Sequence, residues 1–318
     1  MSTKTTIDWL RFRTQATVLE GLEAIRPLFG DSAPRMNVLP LERGKDGFQQ
    51  ACALRMGEWV LGRVDFGGES QRGWVRWNIT GEGCENVRDW DALADVEALP
   101  SSQMRRCDIA LTTWRGEVDH ARVVAAHDAR GFACGGGGRP PALQQITSSD
   151  PMAGRTCYVG KRDSDKFFRG YEKGLELLGK LGRKHCRVVD ADRAGVWLID
   201  GAPAEDIYRC EVELKAVAEK QLPWEVIDRR DQYFGGCYPF LGELLPGVEA
   251  DILMRRAERA PQSSLIAALE NCRVQYGGTL YTALHAYGGD IGRVFEQIVG
   301  SQHSQSLLSA GVLEVEHV

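Results

Sequence analysis

Apolar and polar residues alternate along this chain with two different periods, and the changes between them mark out its elements. Residues 7–13, IDWLRFR, alternate at roughly period two and predict an opening strand. Residues 17–29 instead place Leu19, Leu22, Ile25 and Phe29 at three- and four-residue steps, which predicts a helix. Three short runs follow, 49–56, 59–66 and 73–80, separated by glycine-containing breaks, and they read as strands. Gly57-Glu58 suits a tight hairpin, because glycine accepts a positive φ. Residues 86–99 predict a helix, and 105–112, RRCDIALT, an interior strand. Residues 156–159 and 167–171 read as the two arms of a hairpin around GKRDSD. A short helix over 174–183 and a strand over 208–215, YRCEVELK, complete this half.

From residue 246 the pattern becomes helical, with candidate helices at 250–259, 263–272, 280–286 and 291–299 and Gly-Gly pairs at 277–278 and 288–289 between them. The expected fold class is therefore α+β: an antiparallel sheet with flanking helices over 1–245 and a helical C-terminal region over 246–318. A length of 318 residues with 43% hydrophobic content is enough for a substantial core. No run of eighteen apolar residues predicts a membrane helix, and the opening MSTKTTIDWLRFR has no apolar signal-peptide core. Nine scattered cysteines without a CxxC pair predict reduced, mostly buried thiols and a cytoplasmic setting. Gly135 to Gly138 predict a mobile loop, since no GK[ST] follows to make a phosphate cradle.

The net charge of −5 argues at first against a nucleic-acid partner, but clustering matters more than the total. Residues 155–187 carry ten Lys or Arg against four Asp or Glu. Within that basic stretch lies Tyr171. If its hairpin arm stays extended, Arg169, Tyr171 and Lys173 share a face, with two cations beside the hydroxyl. Tyr158, on the other arm, is the competing nucleophile. Lys161, Arg162 and Lys166 around the hairpin tip suit phosphate contacts. On the strand 208–215, Glu211 and Glu213 point together while Val212 and Leu214 point to the core. Two such carboxylates repel unless a cation or a proton lies between them, and hard oxygen ligands suit Mg²⁺ or Mn²⁺. Asp108 faces away from Cys107 and Ile109, so it completes a three-acid site if its strand neighbours that of Glu211.

The stretch YVGKRDSDKFFRGYEKG, followed by YRCEVELK, resembles the replication initiation factors of rolling-circle plasmids and filamentous phages, the Rep_trans type, which also includes relaxases of integrative elements. IDWLRFR, WNITGEGC and RRCDIAL resemble that family's earlier blocks, in the expected order. The chain departs from the family pattern where the aspartate strand continues as LTTW. The resemblance implies a sequence-specific DNA nickase and strand transferase that forms a 5′-phosphotyrosyl link and frees a 3′-hydroxyl. It implies Tyr171 as nucleophile and Asp108, Glu211 and Glu213 as holders of a divalent ion. Origin DNA, single-stranded or supercoiled, is the implied partner. A DNA-binding repressor or copy-control factor on the same scaffold, and a metal-dependent phosphohydrolase, stay open beside it. The helical tail, with Arg255, Arg256 and Arg259, offers a surface for origin duplex, for a second copy or for a helicase.

Replacing Lys161 or Arg162 with alanine is expected to weaken DNA binding for all sequences and to lower its salt dependence by about one phosphate contact. Identical salt slopes for wild type and both variants, read by fluorescence anisotropy, would remove these residues from the interface.

Overall fold

The period-two segments come together as one ten-stranded antiparallel sheet in the computed structural model, which describes residues 4–133, 139–179, 189–192, 195–216, 222–250 and 265–303. The strands are β1 (Thr6–Thr14), β2 (Met36–Leu41), β3 (Gln50–Met56), β4 (Trp59–Phe66), β5 (Val75–Ile79), β6 (Gln103–Thr113), β7 (Leu143–Ile146), β8 (Thr156–Val159) and β9 (Lys166–Tyr171). A separate small sheet joins β10 (Val189–Ala191), β11 (Trp197–Ile199) and β12 (Ala202–Pro203), after which β13 (Tyr208–Lys215) returns to the large one. The spatial order is β2-β3-β4-β5-β1-β6-β13-β9-β8-β7. The segments that resemble replication factors, β1, β6, β13 and β9, are thus adjacent at its centre.

Alternation along these central strands separates two faces. Leu10, Phe12, Cys107, Ile109, Val212, Leu214 and Phe168 are completely covered on the apolar face. Phe132 caps that face, with its ring 4.9 Å from Phe168, 5.2 Å from Tyr238 and 5.4 Å from Phe240. Among the described residues seven helices accompany the sheet: α1 (Val18–Ile25), α2 (Gly81–Glu85), α3 (Leu93–Glu97), α4 (His120–Asp128), α5 (Lys173–Gly179), α6 (Arg230–Cys237) and α7 (Pro239–Glu243). A second apolar cluster of Leu177, Leu178, Ile199, Ala204 and Ile207 fastens α5 to the small sheet.

Several elements differ from the expected ones for local reasons. Helix α1 starts at a capping box between Thr17 and Glu20, but ends at Ile25 and passes into a 3₁₀ segment containing Pro27. Leu19 lies on its outer side, 67% exposed. Over 86–99 only α3 is regular; the Asp89 carboxylate accepts from the Asp91 N–H at 3.0 Å, a local turn that competes with helix. Strands β2 and β7, helix α4 and the small sheet are additions that the pattern did not announce.

The chain divides into two compact units, 1–252 and 253–318. The second contains α8 (Leu265–Ala286) and α9 (Ile291–Ile298). Helix α8 runs without a break through Gly277-Gly278, where a boundary between two helices was expected, while Gly288 and Gly289 adopt positive φ in the turn before α9. Residues 135–138, 250–259 beyond Ala250, and the arginines at 255, 256 and 259 lie outside the described residues. No helix among the described residues is long and apolar enough to cross a membrane.

Truncating Phe132 to alanine is expected to destabilise the first unit by about 3–5 kcal/mol, since the ring is fully enclosed by other rings. Urea denaturation reports the loss; a change below about 1 kcal/mol would show that the aromatic cluster is not the keystone of this face.

Candidate functional site

Opposite residues of antiparallel strands share a face, so the register defines what the polar side of the sheet presents. Glu213 of β13 pairs with Asp108 of β6, Glu211 with Arg169 of β9, and Arg209 with Tyr171. Tyr158 of β8 pairs with Arg169. The candidate acids, both candidate tyrosines and Arg169 therefore lie on one face, at the middle of the sheet. The two glutamates, expected on a strand face of unknown exposure, are 3% and 6% exposed, and Asp108 is 2% exposed.

Buried carboxylates need counter-charge, and arginines from the same strands provide it. The Arg106 guanidinium grips Asp108 with two bonds, Nε to Oδ1 at 2.7 Å and Nη2 to Oδ2 at 2.5 Å, and lies 3.1 Å from Glu213. Lys215 lies 2.6 Å from Glu213. Arg169 donates through Nη2 to both oxygens of Glu211 at 2.8 and 2.6 Å. Pairing does not fully offset burial. Desolvation pushes Asp108 up to about 6, with Glu213 and Asp8 adding repulsion against the pull of Arg106. Desolvation and then Asp8 push Glu211 up to about 7 against the pull of Arg169.

Asp8 is a member of this cluster that the alternation of β1 concealed. In a regular strand it would share a face with Leu10 and Phe12 and point to the core. A bulge between Ile7 and Trp9 gives β1 one extra residue against β6, so Ile7 and Leu10 both reach the core while Asp8 and Trp9 both face the polar side. Arg209, itself buried, donates from Nη1 to Asp8 Oδ1 at 2.5 Å and from Nε to Thr112 at 2.9 Å. The readable signal was the three-residue apolar step from Ile7 to Leu10, followed by the two-residue step to Phe12.

Tyr171 is 9% exposed and lies among cations. Arg209 is directly across from it, Arg169 is 4.9 Å from its ring centre and the Lys173 ammonium 5.7 Å. Burial raises its phenol well above the usual value, with Arg209 opposing the rise. Lys173 is not on an extended arm as expected: β9 ends at Tyr171 and Lys173 opens α5, pairing with Glu176 at 2.7 Å. Burial, then repulsion by Arg209, lower its ammonium pKa. Gly174 fixes this turn, since a Cβ there would lie 1.9 Å from the Ala204 carbonyl oxygen.

Around the hairpin tip the candidates diverge. Lys161 and Arg162 are exposed, and the Arg162 guanidinium lies 5.1 Å from the Tyr158 ring centre and 5.2 Å from that of Phe167. Lys166 pairs with Leu214 and so lies on the opposite face. Its ammonium donates to the Cys237 carbonyl at 2.5 Å and sits 4.4 Å from the Tyr238 ring centre. Lys166 thus braces the apolar side and is apart from the other candidates.

The acids carry a pH signature. Raised carboxyl pKa values mean that the folded chain binds more protons than the unfolded one between about pH 4 and 7, so stability from these two groups falls as pH rises through that window. With chelator present, the melting temperature is expected to drop by a few degrees between pH 5 and pH 8, and the drop to flatten in an Asp108→Asn, Glu211→Gln double variant. An equal slope in both proteins would show that these acids are not held against their ionisation.

Comparison with known proteins agrees with this arrangement. Residues 102–245 match the replication initiation factor family, Rep_trans, a span that includes Asp108, Tyr158, Tyr171, Glu211 and Glu213 and leaves out Asp8. No curated protein matches the chain significantly. A solved structure, the rolling circle replication initiator protein from Geobacillus stearothermophilus, is similar at a TM-score of 0.50 and 20% identity, covering 77% of this chain and 85% of that one. At that identity the likeness is one of fold. Within residues 102–245 the chain is similar to the replication initiation factor family, and the strands of that span that carry Asp108, Tyr171, Glu211 and Glu213 are neighbours in the central sheet.

Proposed function

We propose that this protein initiates rolling-circle replication by nicking and rejoining one DNA strand through Tyr171. The observation that carries the reading is the placement of Tyr171 directly across from Arg209, flanked by Arg169 and Lys173 and next to the buried acids. Attack by the tyrosine oxygen on a DNA phosphorus forms the phosphotyrosyl O–P bond and breaks the bond from phosphorus to the 3′ oxygen. The phenolic proton is balanced by the one that the departing 3′-hydroxyl acquires. Rejoining is the same exchange reversed. A buried phenol is a poor nucleophile until cations stabilise its anion, and three surround it here. Arg169 and Arg209 also suit the non-bridging phosphate oxygens.

The donor set fits a hard divalent cation. Asp108 and Glu211 are buried, raised carboxylates, and Glu213 and Asp8 lie on the same face. Among the described residues no three such groups converge as they stand, and each of these carboxylates is held by a basic side chain. Asp108, Glu211 and Glu213 would hold Mg²⁺ or Mn²⁺ on release from these pairs. Such an ion supplies Lewis-acid stabilisation of phosphate charge. The second unit, 253–318, is assigned to recognition of the origin duplex or to assembly with a second copy or a helicase.

Incubating the protein with supercoiled and single-stranded DNA from its own replicon, with and without Mn²⁺, tests this function. An ion-dependent covalent adduct mapped to Tyr171 by mass spectrometry is expected, and Tyr171→Phe is expected to abolish it while leaving DNA binding in place. An adduct on Tyr158 would move the nucleophile one strand outward. Binding without any adduct would favour a DNA-binding regulator on the same scaffold.

A further inference from the structure

The polar face carries a second feature beyond the acids and the two tyrosines. Beside the acids, β1, β5 and β6 border a groove of about 310 Å³. Its lining includes Arg11, Arg13, Arg76, Arg105, Arg106 and Lys215, against a single carboxylate, Asp46. Six cations converge there in a chain whose net charge is −5. Arg11 and Arg13 have neutral partners: Arg11 Nε donates to Asn78 at 2.5 Å and Arg13 Nε to Gln103 at 2.9 Å. Neither is ion-paired among the described residues. Burial, then repulsion from Arg106 and Arg76, lower the proton affinity of Arg11. Arg76 is paired with Asp46 and Asp65, Arg106 with Asp108 and Glu213, and Lys215 with Glu213, so Arg11 and Arg13 are groove cations with neutral hydrogen-bond partners, and they suit an incoming anion.

A bulge builds this groove, as another places Asp8. Between Arg11 and Phe12 the register shifts, and β6 gains a residue against β1, so Arg105 and Arg106 lie between the buried Met104 and Cys107. Both arginines line the groove. Aromatic rings are interleaved with the charge: Arg13 lies 4.1 Å from the Trp74 ring centre and Arg76 lies 4.8 Å from that of Phe48. Both rings also line the groove and are partly exposed. Alternating guanidinium and aromatic surfaces fit phosphates and the exposed faces of unpaired bases. Arg106 belongs to the groove and to the acid cluster alike, because the same guanidinium holds Asp108 and Glu213.

We infer that this groove is a binding track for single-stranded DNA, with an unpaired base stacked against Trp74 and phosphates held by Arg11, Arg13 and Arg105, leading the strand to the acid and tyrosine centre. The inference rests on the strand-transfer reading for what happens to that strand, and on the groove alone for its binding.

The test uses the full chain in chelator, with a labelled oligothymidylate and a duplex of the same length as probes. Wild type is expected to prefer the single strand. Trp74→Ala is expected to weaken binding at least about fivefold with little change in salt slope, and Trp74→Phe to restore most of it. Arg13→Gln is expected to weaken binding and lower the salt slope by about 0.7. Photo-crosslinking with iodouracil in the oligonucleotide is expected to mark Trp74 or Phe48. Circular dichroism and melting temperature confirm that each variant is folded; for any that is not, the wild-type crosslink map decides. Equal affinity for single strand and duplex, wild-type binding by both Trp74→Ala and Arg13→Gln, or crosslinks confined to other segments would overturn the track. A Tyr171 adduct formed at the normal rate by a folded Trp74→Ala protein would refute the groove and leave strand transfer standing. Loss of single-strand binding in these variants, with no adduct in wild type, would do the reverse.

Discussion

Everything at the centre of this sheet follows from the burial of carboxylates beside arginines. A carboxylate taken out of water costs several kcal/mol unless a cation with good geometry compensates it. Asp108, Glu211 and Asp8 each have an arginine within 2.8 Å, and Glu213 has Lys215 at 2.6 Å. These partners come from β6, β9 and β13, and three of the contacts cross between strands: Arg169 to Glu211, Arg106 to Glu213 and Arg209 to Asp8. The result is a layer of charge with little net sign, held over a fully apolar layer on the other side. Such a layer is polarisable in a specific sense: removing any one partner, or inserting a phosphate or a cation, leaves another group to be compensated.

That constraint decides which parts of the site are rigid. Arg106 serves Asp108, Glu213 and the groove beyond them, whereas Arg209 serves Asp8 and faces Tyr171. On the proposed strand-transfer reading, a DNA phosphate near Tyr171 would compete with Asp8 for Arg209 and with Glu211 for Arg169. A cation among the acids would release the same arginines toward that phosphate. On that reading the two kinds of ligand would support each other through shared partners.

Much of this was legible in the sequence, because period two is a strong constraint wherever one face is buried. The strands at 7–13, 105–112, 167–171 and 208–215 could be read from alternation, and the register then made neighbours of Asp108 and Glu213. What alternation could not give were the places where it slips. Asp8 and Arg105 are surplus residues of two bulges, one in β1 and one in β6, that compensate each other in register. Each leaves a trace, an apolar step of three, from Ile7 to Leu10 and from Met104 to Cys107, in an otherwise two-step pattern. Lys173 shows the other limit. Its spacing from Tyr171 fitted a strand, but the close contact of Gly174 with Ala204 turns the chain into α5 at that point. Lys166 looked like part of a basic tip, and only its pairing with Leu214 reveals that it faces away.

The two tyrosines illustrate how position on the sheet translates into chemistry. Tyr158 and Tyr171 lie on the same face and both neighbour β9 residues, so distance along the sequence does not separate them. Their surroundings do. Tyr158 is on β8, one strand further from the acids, beside Phe167 at 5.3 Å and under Arg162, an exposed side chain whose charge is largely screened by water. Tyr171 adjoins β13, beside buried Arg209 and half-buried Arg169, where low dielectric strengthens each interaction with a developing phenolate. Burial that raises the phenol in the resting protein is the same burial that makes its cations effective once charge develops. That dual effect supports Tyr171 as the nucleophile more than its sequence neighbours do.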